Sequence, residues 1–498
     1  MRRLLLALVS LAVLVVGAAG SWVGYAYTSA DLDTRGDIAF ERPLAIPPLA
    51  PSTVDAAGRR VFDLTLQHGD SDLGADQPTA TMGINGAYLG PTLRAERGEQ
   101  VRVKVSNELG ETSTLHWHGM HLPARMDGGP HQLVAGGDTW SPTWRVDQPA
   151  ATLWYHPHLH GRTAEQVYRG LAGMFIVDDP DAKTSLPSDY GVDDIPVIVQ
   201  DVQLDGDGSL DTGAPLFSPT GLLGDRILVN GTPGPYLDVT TELVRLRLLN
   251  ASPARIYEFG FDDGRGFLQV GTDGGLLEAP HETERVRLSP GERAEIVVAM
   301  RPGERSVLRS FPADVADAWQ ERFGGADDQL DVLELRAADE LAPSPDLPAR
   351  LAQVNRLDPA DATTTRTFDL TDQTSINDAS MQMERVDEVV QFGDTEIWEV
   401  RNEYGAPHSF HVHDVQFQVL DIERQAPPPE LSGWKDTVYV APGSRLRLIM
   451  RFSDYADPVW PYMFHCHVLD HDDSGMMGQF LVVEPGTQLS GPPPAHEH

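Results

Sequence analysis

Apolar and polar residues alternate along short runs of this chain. In "EQVRVKVSN" (99–107) the valines at 101, 103 and 105 are separated by polar residues, and "SRLRLIMRF" (444–452) repeats the period. A period of two is that of a strand with one buried face. Such runs end in Gly, Pro, Asn or Asp, as turns require. Past the leader no long run has helical periodicity. Many short strands with turn signals at regular spacing predict an all-β chain of packed sandwiches.

A weak repeat divides the chain into three. "GPTLRAERGEQVRVKVSNELGETSTLHWHG" starts at Gly90, "GPYLDVTTELVRLRLLNASPARIYEFGF" at Gly234 and "VVQFGDTEIWEVRNEYGAPHSFHVH" at Val389. Each places an alternating strand before an asparagine (Asn107, Asn250, Asn402), then a loop and a second strand. The asparagines lie one domain length apart. The first and third copies carry histidines on the second strand; the middle copy has Tyr257 and Phe259 there and reads as a spacer. Boundaries fall near residues 185 and 350, the latter in the Pro- and Ala-rich "APSPDLPARLAQVNRLDPAD". The three domains are 55–185, 186–350 and 351–487. Before them, 31–54 is an extended lead-in containing "RPLAIPPLAP". The tail 488–498, with "SGPPPAHEH", is expected to be disordered.

Residues 1–30 open with two arginines and run uncharged from Leu4 to Ala30. This is the pattern of an export signal, with small residues at Gly17 to Ser21 as the cleavage region. The run is also long enough to span a bilayer uncut, so a retained anchor is the alternative. Either way the chain is exported, to the periplasm, the cell surface or the medium. "RR" before leucines is a faint twin-arginine signature.

Charge removes some classes of partner. The net charge is −36, and lysine occurs only at Lys104, Lys183 and Lys435. Such an acidic chain does not suit nucleic acid or an anionic membrane. A solvated, soluble surface accounts for the charge, with attraction of small cations as a secondary effect. The single cysteine, Cys466, excludes an intramolecular disulfide.

Of 17 histidines, ten fall into four clusters: His116 and His118 in "HWHG", His156 and His158 in "WYHPHLHG", His408, His411 and His413 in "HSFHVH", and His465, His467 and His471 in "HCHVLDH". H-x-H on a strand puts both imidazoles on one face. Neutral imidazole suits copper, zinc, iron and nickel, and four pairs exceed what one ion accepts, so several metals are implied. With 465–467 as a strand, Cys466 points away from its two neighbouring histidines. His471 and Met476 follow in a loop that can return to the cysteine side, and His408 can come from the adjacent strand. Two histidines, a thiolate and a thioether are the ligands of a blue-copper site. The cysteine then bridges that site and the cluster.

These motifs, in order and spacing, resemble those of the multicopper oxidases, which include laccases and bacterial cuprous oxidases. "GTDGGLLEAP", "LSPGERAEIVV" and "GWKDTVYVAPG" also look like family segments. The resemblance implies three consecutive cupredoxin-like Greek-key β-sandwich domains and four copper ions. Type 1 copper would take His408, Cys466, His471 and Met476, and type 2 copper His116 and His411. One type 3 copper would take His118, His156 and His467; the other, His158, His413 and His465. The cluster would lie between the first and third domains of one chain, a monomer. Serine in "HSFHVH" departs from the family's proline. Asp127 in "MDGGP" and Asp472 resemble the family's proton-relay residues, although Asp127 could simply shape a turn before two glycines. His121 and His160 stand near the ligands without being expected to ligate.

By the same resemblance, a reductant gives up four single electrons and dioxygen becomes two waters. A methionine-rich insert would mark a cuprous oxidase; here only Met381 and Met383 form a close pair, read as core filler. That favours a laccase-like oxidase of phenols or aromatic amines, with Cu(I), Fe(II) or Mn(II) as alternative donors and a cuprous oxidase serving copper tolerance as the runner-up. A copper nitrite reductase would have two domains and no cluster. A non-enzymatic envelope scaffold would have lost ligands that are all present here.

Overall fold

The computed structural model describes residues 2–28, 30–182, 185–215, 218–313, 321–488 and 491. Its sheets fall into three successive pairs, and the chain is nearly all β. The same parallel match recurs in all three pairs. Arg60–Ser71 lies beside Gln100–Asn107 with Phe62 opposite Val103. Asp194–Val202 lies beside Leu243–Asn250 with Val197 opposite Leu248. Ala362–Leu370 lies beside Thr395–Asn402 with Phe368 opposite Val400. The three copies seen in the sequence are therefore three copies of one strand arrangement. We propose 185 and 350 as the domain limits; both fall between these sheet pairs.

Alternation in sequence becomes alternation in burial. Along Gln100–Asn107 the valines at 101, 103 and 105 are buried and pack on Leu64, Leu66 and Phe175. The third domain closes on Phe368, Trp398, Phe410, Phe464 and Phe480, and Cys466 and Met476 belong to that core. Asp194–Val202 is buried at every position, so its sequence does not alternate.

The three asparagines do identical work. Asn107 donates through Nδ2 to the carbonyls of Glu111 and Val134 and accepts from Leu109 N. Asn250 does so with Arg255, Leu288 and Ser252 N. Asn402 does so with Ala406, Val440 and Tyr404 N. In each case one buried side chain ties the loop that follows its strand, and that loop aims the next strand. In the outer domains the next strand is His116–His118 or His408–Val412.

Those strands pair antiparallel with the other histidine strands. His116 lies opposite His156, and His411 opposite His465. Both ladders run through the second sheet of their domain, so the two sheets present their histidines at one junction.

The lead-in is extended as expected, and it is also stitched into two domains. Arg42–Pro43 adds a parallel strand to the middle domain at Pro235, and Ser52–Val54 pairs with Arg60–Ser71 of the first. Three α-helices are described: α1 (Arg2–Thr28), α2 (Thr163–Tyr168) and α3 (Leu469–Asp473). Past the end of α1 the chain rests on the middle domain, where Leu32 N donates to Asp328 Oδ1 at 2.7 Å. Among the described residues no helix is long and apolar enough to cross a membrane, and many α1 side chains lie outside that description. Most of the tail expected to be disordered, with His496 and His498, also lies outside the described residues.

Asn402→Ala removes three hydrogen bonds and strands the buried carbonyls of Ala406 and Val440 and the half-buried N–H of Tyr404. It should lower the unfolding free energy by roughly 3 kcal/mol, measured by urea titration.

Candidate metal centre

Two buried groups of ligand-type side chains stand on either side of the strand Tyr462–Cys466. On the core side, Cys466 Sγ lies 3.4 Å from His408 Nδ1 and 3.5 Å from His471 Nδ1. Met476 is buried in the same cluster, and its carbonyl accepts from Cys466 N at 3.1 Å. The sequence put His471 in a loop; it stands instead on α3, a single helical turn with Met476 just beyond it. Val468 and Leu469 are buried, and covering them packs this segment as a helical turn, not an open loop. Burial pushes the Cys466 thiol up to about 12. It pushes His471 down to about 4, against a hydrogen bond from its Nε2 to Pro219 O at 3.2 Å. His408 Nε2 has no partner.

On the other side eight imidazoles form a cage. His158 Nε2 and His413 Nε2 lie 3.1 and 3.3 Å from His465 Nε2, and His118 Nδ1 lies 3.4 Å from His156 Nε2. His116 stacks on His413 at 3.9 Å between centroids, and His118 on His411 at 3.7 Å. The His467 ring is 4.9 Å from His118 and 5.2 Å from His156. Ligand atoms of His158, His413 and His465 lie within 4.8 Å of one another, as do those of His116, His118 and His156 and those of His116, His411 and His413, and the His467 ring borders the same space.

Outside the cage, most rings meet an oxygen. His116 Nδ1 faces Asp127 O at 2.9 Å and His411 Nδ1 faces Asp436 O at 2.8 Å. His156 Nδ1 faces Pro157 O at 2.7 Å and His465 Nδ1 faces Cys466 O at 3.2 Å. His413 Nδ1 meets Asp127 Oδ2 at 2.7 Å, and His118 Nε2 meets Asp436 Oδ1 at 3.0 Å. An N–H spent outward leaves a lone pair inward. His116 Nε2, His411 Nε2 and both nitrogens of His467 have no partner at all.

Burial holds His118, His156, His158, His411, His413 and His467 well below the ordinary imidazole range, and neighbouring rings deepen the effect. Neutral rings with converging, unpartnered nitrogens fit soft or borderline metal cations, and the thiol site fits a metal that ionises sulfur. The residues present therefore fit copper.

Asp127 and Asp472 are both buried beside the cage. Asp127 Oδ1 is 3.3 Å from His116 Nδ1 and otherwise unpartnered. Asp472 lies 3.1 Å from His465 Nδ1 and 4.0 Å from His158 Nδ1. Asp127 also caps a turn before Gly128 (φ 77°), so the turn and the cage contact coexist. His121 pairs with Asp454 at 3.1 Å and His160 is exposed. Sequence reasoning missed Asp436, although "GWKDTV" carries it, because its role depends on His118 of another domain. Ser409 does more than replace a proline: its Oγ donates to Pro290 O at 2.8 Å in the middle domain.

In the unfolded chain these imidazoles take up protons below about pH 6.5, whereas in the fold they stay neutral. The metal-free fold therefore loses stability as pH falls through that value, by about 1.4 kcal/mol per ring per pH unit at the limit. Its unfolding midpoint should drop steeply between about pH 7.5 and about pH 5.5; a flat profile would mean that the cage is wet.

Comparison with known proteins agrees with this geometry. Family models described as multicopper oxidase match residues 66–182 and 348–486. The cell division protein FtsP of Xenorhabdus nematophila is 38% identical over 449 residues, 88% of this chain and 92% of the relative. The multicopper oxidase mco of Staphylococcus haemolyticus is 32% identical over 448 residues, again 88% and 92%. The solved structure of CueO, a laccase-like multi-copper oxidase from Ochrobactrum sp. with activity towards lignin model compounds, is 36% identical with a TM-score of 0.80, covering 89% of this chain and 100% of that one. The chain belongs to the multicopper oxidase family.

Proposed function

We propose that this is an exported, monomeric, oxygen-reducing oxidase with four copper ions, laccase-like in its donors. His408, Cys466, His471 and Met476 would hold type 1 copper, and His116 with His411 type 2 copper. His118, His156 and His467 would hold one type 3 ion; His158, His413 and His465, the other. The observation that carries the reading is the cage itself, eight imidazoles converging beside the one thiol. Bound copper supplies one-electron acceptance at the thiol site and reduction of dioxygen to two waters at the cage.

The chain's own residues do the rest. Cys466 joins the two sites through one backbone step to His465 and another to His467. The aromatic core around Cys466 excludes water and keeps the ligands rigid. Four protons are needed per dioxygen, and Asp127 and Asp472, both buried against the cage, would hold them.

Two observations bear on the donor. Met381 and Met383 pack with Met463 and Met477, on the face of the strand opposite Cys466, so they do not serve the type 1 site. A cleft of about 20 Å³ is lined by Pro407, the residue before His408, with Pro219, Thr220 and Ile256 among others. No aromatic ring enters it, so a phenol would give its electron from the outer surface, by way of Pro219 O and His471. Similarity to a cell division protein keeps the non-enzymatic envelope scaffold as a second reading, and the test below separates the two.

Copper-loaded protein should consume oxygen faster with a methoxyphenol than with Cu(I) offered separately. Cys466→Ser should lose both the blue colour and all uptake while circular dichroism is unchanged; turnover without the thiol would sink the assignment, and a chain that takes up no copper would favour the envelope role. Asp127→Asn should keep its copper and slow oxygen reduction on the order of 10²-fold. Unchanged kinetics would leave Asp127 as a turn former.

A further inference from the structure

His118 is held the other way round from its neighbours. His116, His156, His411, His413 and His465 all turn Nδ1 outward to an oxygen. His118 turns Nδ1 inward, towards His156, and places Nε2 against Asp436 Oδ1 and Thr437 Oγ1, both at 3.0 Å. A ring reversed in this way needs a fixed acceptor behind Nε2. We propose that the middle domain, which gives no imidazole to the cage, fixes that acceptor: Arg293 is a positioning residue that sets His118 through Asp436. This inference rests on the copper reading above.

Arg293 is fully buried and all five of its N–H groups are used. Nη1 donates to Asp436 Oδ1 at 2.7 Å and Nη2 to Asp436 Oδ2 at 2.6 Å, a two-point grip on the carboxylate. Nε donates to Thr152 O, Nη1 also to Gly291 O and Nη2 also to Asp273 O. One guanidinium thus bonds all three domains and has no free donor with which to rotate. Its backbone is held too, since Arg293 N donates to Asp273 Oδ1 at 2.7 Å. Asp273 in turn pairs with Lys435 at 2.8 Å, and Lys435 with Glu292 at 3.0 Å. Three carboxylates against two cations leave a net negative charge beside the cage, which suits a bound cation.

The first domain makes room for this pair. A Cβ on Gly119 would stand 2.5 Å from Asp436 Oδ2 and 2.7 Å from Arg293 Nη2, and its φ of +83° also suits glycine. The glycine of "HWHG" therefore serves the Arg293–Asp436 contact. The same turn of the middle domain touches the cage a second time. A Cβ on Gly291 would come within 3.0 Å of the His467 ring, so that turn forms part of the wall there.

Asp436→Asn keeps the side-chain size and one oxygen but loses the two-point charged grip. Copper at the cage should be held about 10–100-fold more weakly against a chelator. The share of copper visible by EPR should rise as the type 3 pair uncouples, with the blue type 1 absorption unchanged. Arg293→Lys, which keeps the charge without the fork, should give a smaller change of the same kind and serves if the first variant fails to fold. A purely structural contact would lower the unfolding temperature and leave both copper readouts at wild-type values, which would overturn the proposal. A wild type that takes up no copper would overturn the oxidase reading and this one with it.

Discussion

Six of the eight cage imidazoles make an outward hydrogen bond to an oxygen, and that contact is the interaction on which the rest depends. A neutral imidazole has one donor and one acceptor, and an unpaired buried polar group costs about 1–3 kcal/mol. Tying the N–H to a fixed oxygen satisfies half of each ring and chooses its tautomer. The other half faces inward, where six of the eight rings are held neutral by burial and by one another. The oxygens that keep these rings buried are therefore the same ones that leave their lone pairs aimed at a shared space. Stability of the junction and affinity for cations come from one set of contacts.

That set can exist only where two sheets meet. An H-x-H strand presents two rings on one face, and antiparallel pairing brings a second strand's rings alongside, His116 with His156 and His411 with His465. One such ladder makes half a cage. Repeating the same strand arrangement, with the same asparagine pinning the loop before the histidine strand, supplies the other half in a compatible orientation. The middle copy carries no histidine on its second strand, and its turn at 289–293 contacts Ser409, His467 and Asp436 instead.

What could be read in the sequence followed the range of each interaction. Strand periodicity, the H-x-H pairs and the side to which Cys466 points are decided within a few residues, and the fold shows them. Of the pairs, only His116–His118 lies wholly on a strand: His158, His413 and His467 stand just past the strand ends at His156, Val412 and Cys466. The three asparagines could be seen as a repeat, but not as three-bond pins, because Val134, Leu288 and Val440 lie far along the chain. Asp436 and Arg293 left only a trace, "GWKDTV" and "SPGER", since their meaning is a contact across domains. Lys435, one of only three lysines, gave no sign that it is buried in a charge network. The helical turn under His471 was hidden because five residues carry too little periodicity to show it.

Cys466 shows how the two halves of the site constrain each other. Its thiol sits in an aromatic core that pushes it up to about 12, so without a metal it is protonated and inert. The same core leaves the imidazoles beside the thiol no exposed edge: His408 and His471 are buried, and His471 reaches outward only to Pro219 O. Under the proposed reading, an electron comes in through a covered ring and leaves by one backbone step into the cage. With His408 and His471 both buried, donors would be sorted by redox potential and by how they meet the surface of the middle domain more than by shape. That is the physical basis on which one centre of this kind would accept chemically different one-electron donors.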